Sequence, residues 1–387
     1  MPKKKPRKRA KKRPETGKSS SGPEAGKSAD LLALRDQIDA VDAKIHELIN
    51  ERARCAQQVA VAKGGDARSV NFFRPEREAQ VLRAVVDRNK GPLTDEEMVR
   101  LFREIMSACL AQEEPLKVGY LGPEGTFTQS AVYKLFGHSV RALSLATIDE
   151  VFHEVEAGAA DFGVVPIENS TAGSVNHTLD NFLMSPLKIC GELELRIRQH
   201  LLGNMDSLEK VARVCAHPQS LAQCRAWLKE YLGETELVEV SSNAEGARRA
   251  RDEVGTAAIA GDAAAEVYGL DKLIADIEDH PDNTTRFLVI GRELFPSSGD
   301  DKTTLLLSAA DTDDAGALHH LLAPLSDHGV NMTRIESRPS RRRKWHYVFF
   351  IDIDGHVDDP KVVEALKELD KNAQLFRVLG SYPKAIL

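Results

Sequence analysis

Apolar residues at Leu31, Leu34, Ile38, Val41, Ile45, Leu48, Cys55 and Val59 recur at intervals of three, four and seven, the spacing of a stripe down one helical face. The pattern predicts one helix from Asp30 to Ala62, roughly 33 residues and about 50 Å long at 1.5 Å per residue. Gly64 and Gly65 end it. A second helix is predicted from Phe73–Pro75, with Pro75 suited to a first turn and Val81, Leu82, Val85 and Val86 as its apolar face, closed by Gly91-Pro92. A third opens with the capping box Thr94 and Glu97 and carries Met98, Leu101, Phe102, Ile105 and Met106. Two short helices cannot cover the stripe of one so long. The expectation is therefore a dimer that shares the long helix.

The chain has 387 residues, 42% hydrophobic and 29% charged, which points to two to four domains at roughly 100–200 residues each. No uncharged apolar run approaches the ~18–20 residues a membrane-spanning helix needs, so an integral membrane protein is excluded. Five widely spaced cysteines, without a CxxC pair, argue for a reducing cytoplasm with neither disulfides nor structural zinc. Residues 1–27 hold eleven Lys/Arg against Glu15 and Glu24. With almost no apolar residue, this segment reads as a disordered basic tail, 1–29, with neither the h-region of a secretory signal nor a transit peptide's amphipathic pattern. A solubilising extension is favoured for it over a nucleic-acid-binding one.

On the long helix, Arg52 and Lys63 are eleven residues apart, so they share a face about 16 Å apart and can bracket a small dianion. Arg35 lies about 100° round the helix from Arg52 and is placed to serve a partner's site in an antiparallel dimer. Such charges are more often simply solvated. The segment LLALRDQIDAVDAKI, ER, AVAK, RPERE, LFREIMSAC, however, resembles the all-helical chorismate mutase domain over 30–114. The resemblance puts the substrate cations on Arg52, Lys63 and Arg77, with Arg35 from the partner, and Glu78 against the substrate hydroxyl. It implies a pericyclic rearrangement that needs charge clamps rather than a nucleophile. Three positions depart from the family pattern: Arg74 near a loop end, Cys109 in place of a Ser, and Glu113 in place of a Gln. Glu113 donates a hydrogen bond only when protonated, so the mutase step is expected to favour lower pH.

After Pro115, apolar runs such as Val118–Leu121 and Phe162–Pro166 alternate with helical stretches, predicting a two-lobed α/β domain, 115–295, with largely parallel sheets. GPEGTFTQ at 122–129 reads as a Gly-rich turn into a helix N-terminus. With VVPIENSTAGSVNHTLD at 164–180, AHPQSLAQC at 216–224, AAIAGDAAAEVYGL at 257–270 and NTTRF at 283–287, the segment resembles prephenate dehydratase. That implies loss of the ring carboxylate and 4-hydroxyl of prephenate, giving phenylpyruvate, CO2 and water. Thr285 is then expected to hydrogen-bond the departing oxygen, Arg286 to pair with a substrate carboxylate, and Glu168 to act catalytically. Phe287, Asn169, Ser170, Thr171, Gln219 and Gln223 are expected contributors, and Thr126 and Thr128 carboxylate binders. His217 before Pro218 is read as structural ahead of catalytic. No metal and no organic cofactor is expected.

Pro296–Asp300 reads as a linker. Beyond it, a βαββαβ order over 301–387 predicts a ferredoxin-like domain. GALHHLL at 316–322 and ESRPS at 336–340 resemble the ACT regulatory domain of phenylalanine-inhibited dehydratases, which implies an effector site at Gly316, Ala317, Leu318, Glu336, Ser337, Arg338 and Pro339. The run Arg341–Lys344 reads as a solvated loop. Jointly the resemblances imply a bifunctional chorismate mutase/prephenate dehydratase with a C-terminal ACT domain, a homodimer or homotetramer acting on chorismate and prephenate and answering to L-phenylalanine. The alternatives are a prephenate or arogenate dehydratase with a weakened mutase domain, or a nonenzymatic amino-acid-responsive sensor with a nucleic-acid-binding tail.

Overall fold

The computed structural model describes residues 23–62, 73–112, 115–309, 315–340 and 347–386. Lys63, Glu113, residues 1–22 of the basic tail and the Arg341–Lys344 run lie outside them. Residues to Gln58 and from Val59 form two compact units.

Helix α1 (Pro23–Ala62) begins seven residues before the sequence pattern predicts. Along it Leu31, Leu34, Ile38, Val41, Ile45 and Leu48 are exposed, between 47% and 63%. The second unit opens with α2 (Pro75–Arg88) and α3 (Asp95–Leu110), whose Thr94 hydroxyl caps the Glu97 amide. These two helices join the body that follows. Phe73 packs its ring 5.0 Å from Phe136 and 5.2 Å from Phe162, and Arg83 donates to the carbonyls of Ser298 and Asp300 at 3.0 and 2.7 Å.

The first lobe of the middle segment comprises β1 (Lys117–Leu121), α4 (Phe127–Phe136), β2 (Arg141–Leu145), α5 (Ile148–Glu156), β3 (Phe162–Asn169), β4 (Gly173–Ser174), α6 (Asn176–Met184) and β5 (Lys188–Arg196). The chain then crosses to a second lobe of β6 (His200–Gly203), β7 (Arg213–Ala216), α7 (Pro218–Gln223), α8 (Arg225–Tyr231), β8 (Glu236–Glu239), α9 (Asn243–Asp252), β9 (Thr256–Ala260), α10 (Asp262–Tyr268) and β10 (Asp271–Ile274). It returns as β11 (Thr284–Gly291), which inserts between β3 and β5.

That return corrects one expectation. The sheets are mixed rather than largely parallel: β1 runs parallel to β2 and β3, but β11 is antiparallel to β3 and β5. The second sheet, ordered β10-β6-β9-β7-β8, likewise pairs β6 antiparallel to β9 and β10. The chain leaves β5 at Arg196 and re-enters β11 at Thr284, which pairs with Arg196, so the two strands run in opposite senses.

The C-terminal domain follows as β12 (Asp301–Ala309), α11 (Ala317–Asp327), β13 (Met332–Pro339), β14 (Tyr347–Asp354), α12 (Pro360–Asn372) and β15 (Ala373–Pro383). Its antiparallel sheet has the order β13-β14-β12-β15, the ferredoxin-like arrangement that the βαββαβ order predicts. Both faces of this sheet are apolar. Leu305 and Leu307 pack under α11 and α12 with Leu321, Leu325, Val362 and Leu369. Leu306, Val348, Phe350, Leu379 and Tyr382 instead share a core with Val165, Ile167, Ile189, Leu288 and Ile290 of the first lobe. Alternation along each strand divides these two sets. Gly380 permits the approach, because a Cβ there would lie 2.2 Å from the Ile189 carbonyl oxygen.

Candidate active site

Between the two lobes lies a cleft of about 490 Å³. The first lobe contributes the turn after β1 with the start of α4, and the ends of β3 and β11. The second contributes the start of α7 and of α9, and Ile197 and Gln199 line it from the crossing segment. Gly125 holds φ at +83° in the turn and donates its amide to Gln129 at 2.6 Å. No Lys or Arg lines the cleft among the described residues. Glu245 is the one carboxylate on the lining among the described residues, and the cleft also meets the N-termini of α4 and α9, ten-residue helices on opposite lobes, whose first amides have no partner within the helix.

Asn169 and Thr285 sit side by side at the floor. The Asn169 Oδ1 accepts from the amides of Thr171 and Ala172 at 3.1 and 3.0 Å and from the Thr171 hydroxyl at 2.8 Å. Backbone amides only donate, so they fix which end of the side chain is oxygen. Its Nδ2 therefore donates to Thr285 Oγ1 at 2.8 Å and to Asn283 Oδ1 at 2.9 Å. The Thr285 oxygen is an acceptor in that bond, which leaves its own hydrogen for another partner. A chain of bonds continues outward: Gln223 donates to Thr171 Oγ1 at 3.0 Å, and Gln199 to Gln223 at 3.3 Å and Ser220 at 3.1 Å.

Of the residues the sequence singles out, Thr126, Thr128, Asn169, Gln219, Gln223, Thr285 and Phe287 line this cleft. The Thr126 hydroxyl donates to the Leu121 carbonyl at 3.2 Å and caps Gln129, so the helix amides, not this hydroxyl, are left to meet an anion. Thr171 lines an adjoining cavity of about 330 Å³ with Gln223 and Asn283. Ser170 accepts from the Thr284 amide at 3.0 Å. His217 lines the cleft as the cap of α7, its Nδ1 accepting from the Gln219 amide at 3.2 Å.

Two expectations are corrected. Arg286 is not on the cleft: its guanidinium is buried against Glu192 at 2.7 Å, Asp352 at 2.6 Å and the Tyr382 hydroxyl at 3.2 Å. Burial opposes its charge, but Tyr382, Asp352 and Glu192 outweigh it and raise its pKa. Glu168 is likewise turned away, paired to Arg334 at 2.7 Å. Both are neighbours of cleft residues on a strand, and neighbours on a strand face opposite sides.

Gln199, Ser220 and Asn243 went unread in the sequence. Asn243 accepts from the His217 amide at 3.0 Å and donates to Ser220 at 2.7 Å. The capping box Ser242 to Glu245 was the available signal for this second helix N-terminus. The Glu245 carboxylate, hydrogen-bonded to Arg248 and Arg249, is held down to about 2.

The helical-domain residues divide between the two units. Arg35 and Arg52 belong to α1, Arg35 exposed and Arg52 half-buried. In the second unit Arg74 lies 3.9 Å from Glu76, Arg77 reaches Gln80 at 3.4 Å, and Cys109 is buried. Glu78 pairs with Arg103 at 3.3 Å. Burial raises its carboxyl above the ordinary range, against the pull of Arg103. In the C-terminal domain Gly316 adopts φ +95° before α11, whose first residues are Ala317 and Leu318. Glu336 accepts from Ser174 at 2.8 Å, and Arg338 donates to Asn176 and Asp180 at 2.8 and 2.9 Å. Ser337 and Pro339 alternate with them and are exposed. Glu336 and Arg338, both expected at the effector site, thus also touch the first lobe.

Family models for prephenate dehydratase, chorismate mutase type II and the ACT domain match residues 118–294, 34–114 and 303–371. A bifunctional chorismate mutase/prephenate dehydratase of Stutzerimonas stutzeri is 56% identical over 361 residues, 92% of this chain and 98% of that protein. A solved prephenate dehydratase from Arthrobacter aurescens in complex with L-Phe matches with a TM-score of 0.64 at 36% identity, covering 69% of this chain and 90% of that one. A protein described as a novel type of quorum-quenching acylase matches with the same TM-score at 31% identity, covering 69% and 98%.

Proposed function

Since the chain belongs to the bifunctional chorismate mutase/prephenate dehydratase family, we propose that its dehydration step runs in the interlobe cleft, with Thr285 as donor to the leaving oxygen. The chain carries both activities: it rearranges chorismate to prephenate and converts prephenate to phenylpyruvate, CO2 and water. The ACT domain suits it to regulation by L-phenylalanine. The fold alone does not separate a dehydratase from an acylase. What separates them is the match over 92% of the chain, mutase segment included.

One observation carries the mechanism: Asn169 donates to Thr285 Oγ1, so the threonine hydrogen is free to point at substrate. Prephenate brings two carboxylates into a cleft without cationic side chains among the described residues. The amides that open α4 and α9 are the groups left to receive them. As the ring carboxylate leaves as CO2, the electron pair of its bond enters the ring and expels the 4-hydroxyl. Thr285 stabilises that oxygen by hydrogen bonding, and a proton relayed from solvent completes the water. A threonine hydroxyl is a weak acid, so it acts through its network rather than by full ionisation.

The mutase site is assigned by resemblance to Arg52, Lys63, Arg74, Arg77, Glu78, Cys109 and Glu113, with Arg35 reaching over from a second copy. Support for the second copy is the exposed stripe of α1, since each Leu or Ile left in water forgoes about 1.5–3 kcal/mol. The test follows chorismate loss and phenylpyruvate formation, from chorismate and from added prephenate, with and without millimolar phenylalanine. Both activities are expected, with dehydration selectively inhibited. Absence of phenylpyruvate from prephenate overturns the reading. Dehydration without chorismate loss locates the defect in the mutase, at Cys109 and Glu113.

A further inference from the structure

Strands β3 and β11 present their two faces to two different neighbours. Their register sets Thr285 opposite Asn169 and Arg286 opposite Glu168. Thr285 and Asn169 line the cleft, so the second pair, one residue along each strand, faces the ACT sheet. Each member of that pair is held by an ACT side chain. Asp352 on β14 takes Arg286 Nη1 at 2.6 Å and is itself fixed by the Thr304 hydroxyl at 2.7 Å. Arg334 on β13 takes Glu168 at 2.7 Å. Arg334 also donates to Ser174 at 3.0 Å, and Ser174 is the β4 partner of Glu168 in register.

Arg286 and Asp352 are both nearly buried, 12% and 3% exposed, so their pair is less screened than one at the surface, whereas Arg334 is 13% exposed and its partner Glu168 40%. The β3–β11 ladder shifts register directly after Arg286, so the pairing that sets the spacing of Thr285 and Asn169 is irregular on that side. A bulged ladder holds its strands less tightly than a regular one. We propose that Arg334, acting through Glu168, and Asp352, acting through Arg286, are positioning residues for dehydration: from the ACT domain they set the Asn169–Thr285 geometry through the opposite face of the same two strands. This inference rests on the dehydratase reading above. Glu336, two residues from Arg334 and bonded to the same Ser174 hydroxyl, joins the ESRPS motif to the same contact.

The experiment uses the full chain carrying Arg334→Gln, Arg334→Lys, Glu168→Gln and the double variant Glu168→Gln/Arg334→Gln. It measures prephenate kcat and KM, the mutase rate and the phenylalanine response. Arg334→Gln is expected to lower kcat about tenfold, short of the about 100-fold that a 1 Å misplacement of reacting groups costs. KM and the mutase rate stay near the wild-type values, and Arg334→Lys recovers part of the loss. The double variant is no worse than the worse single one, because both remove one contact. Phenylalanine inhibits the Gln variants over a narrower range than the wild type. Wild-type kcat in Arg334→Gln and Glu168→Gln, or losses that multiply in the double variant, overturns the inference. If Arg334→Gln does not fold, Glu168→Gln and Arg334→Lys decide it alone. Failure of the dehydratase reading is distinct, because it shows as no phenylpyruvate from prephenate in the wild type.

Discussion

The interlobe cleft is built by one chain: its two lobes, its crossing segment and the Asn169–Thr285 pair all come from residues that bury their own cores. Helix α1 does not reach that state, since all eight residues of its apolar stripe remain exposed. With the mutase site assigned to α1 as proposed, the contrast is between two ways of making an active site. A two-lobed α/β domain closes a cleft on itself, whereas one long helix has more apolar length than two short helices can cover. The first site is therefore expected to survive changes that remove the second.

The largest expected effect falls on the single-chain site. Thr285→Val removes the donor and keeps the shape, and should lower dehydratase kcat by about 10²–10⁴, the range for loss of a proton-donating group. The mutase rate measured in the same sample should not change. A loss of both would contradict the assignment of the two reactions to separate sites.

A smaller effect concerns stability. Arg286→Ala leaves Glu192 and Asp352, both 3% exposed, without a shared cation, although Lys302 still pairs with Glu192 at 2.9 Å. Removing one member of a buried ionic cluster costs about 3–5 kcal/mol, and the Lys302 contact places this case at the lower end. Urea unfolding should show it in the dehydratase–ACT transition.

The smallest effect is acid dependence. Glu245 ionises at about 2 in the folded chain against an ordinary 4.5, so the unfolded chain binds its proton first. Its contribution is present above about pH 4.5 and is lost as pH falls towards 2. Its arginine partners are exposed, so solvent screening keeps the contribution under about 1 kcal/mol. Glu245→Gln should flatten that part of the stability–pH curve, measured by thermal unfolding between pH 2 and 5.

Much of this was legible in the residues. The helical periodicity located α1, the capping box located α3, and the βαββαβ order of the last segment led to its sheet. The motifs named Asn169, Thr285 and Gln223, which the fold brings to one cleft. Where a motif lies in extended chain, its residues divide between two faces. Arg286 beside Thr285 and Glu168 beside Asn169 cannot share a face in extended chain, and that rule alone would have sent both to the other side. Nothing local told that an ACT sheet covers that side, because the contact joins residues more than sixty positions apart. Gln199 carried no motif and Asn243 only the capping box around it, so their place on the cleft became visible only when the lobes came together. The mixed sheets were hidden for a similar reason, since the sense of β11 depends on where the chain returns.

The most direct test charges the stripe of α1 and leaves the cleft alone. In Ile45→Asp, both reactions and the oligomeric state are measured on the full chain. The account predicts a loss of self-association and of chorismate mutase activity, with prephenate dehydration retained. Mutase activity that persists in a dissociated chain, or dehydration that disappears with it, would contradict the division between a site one chain completes and a site that takes two.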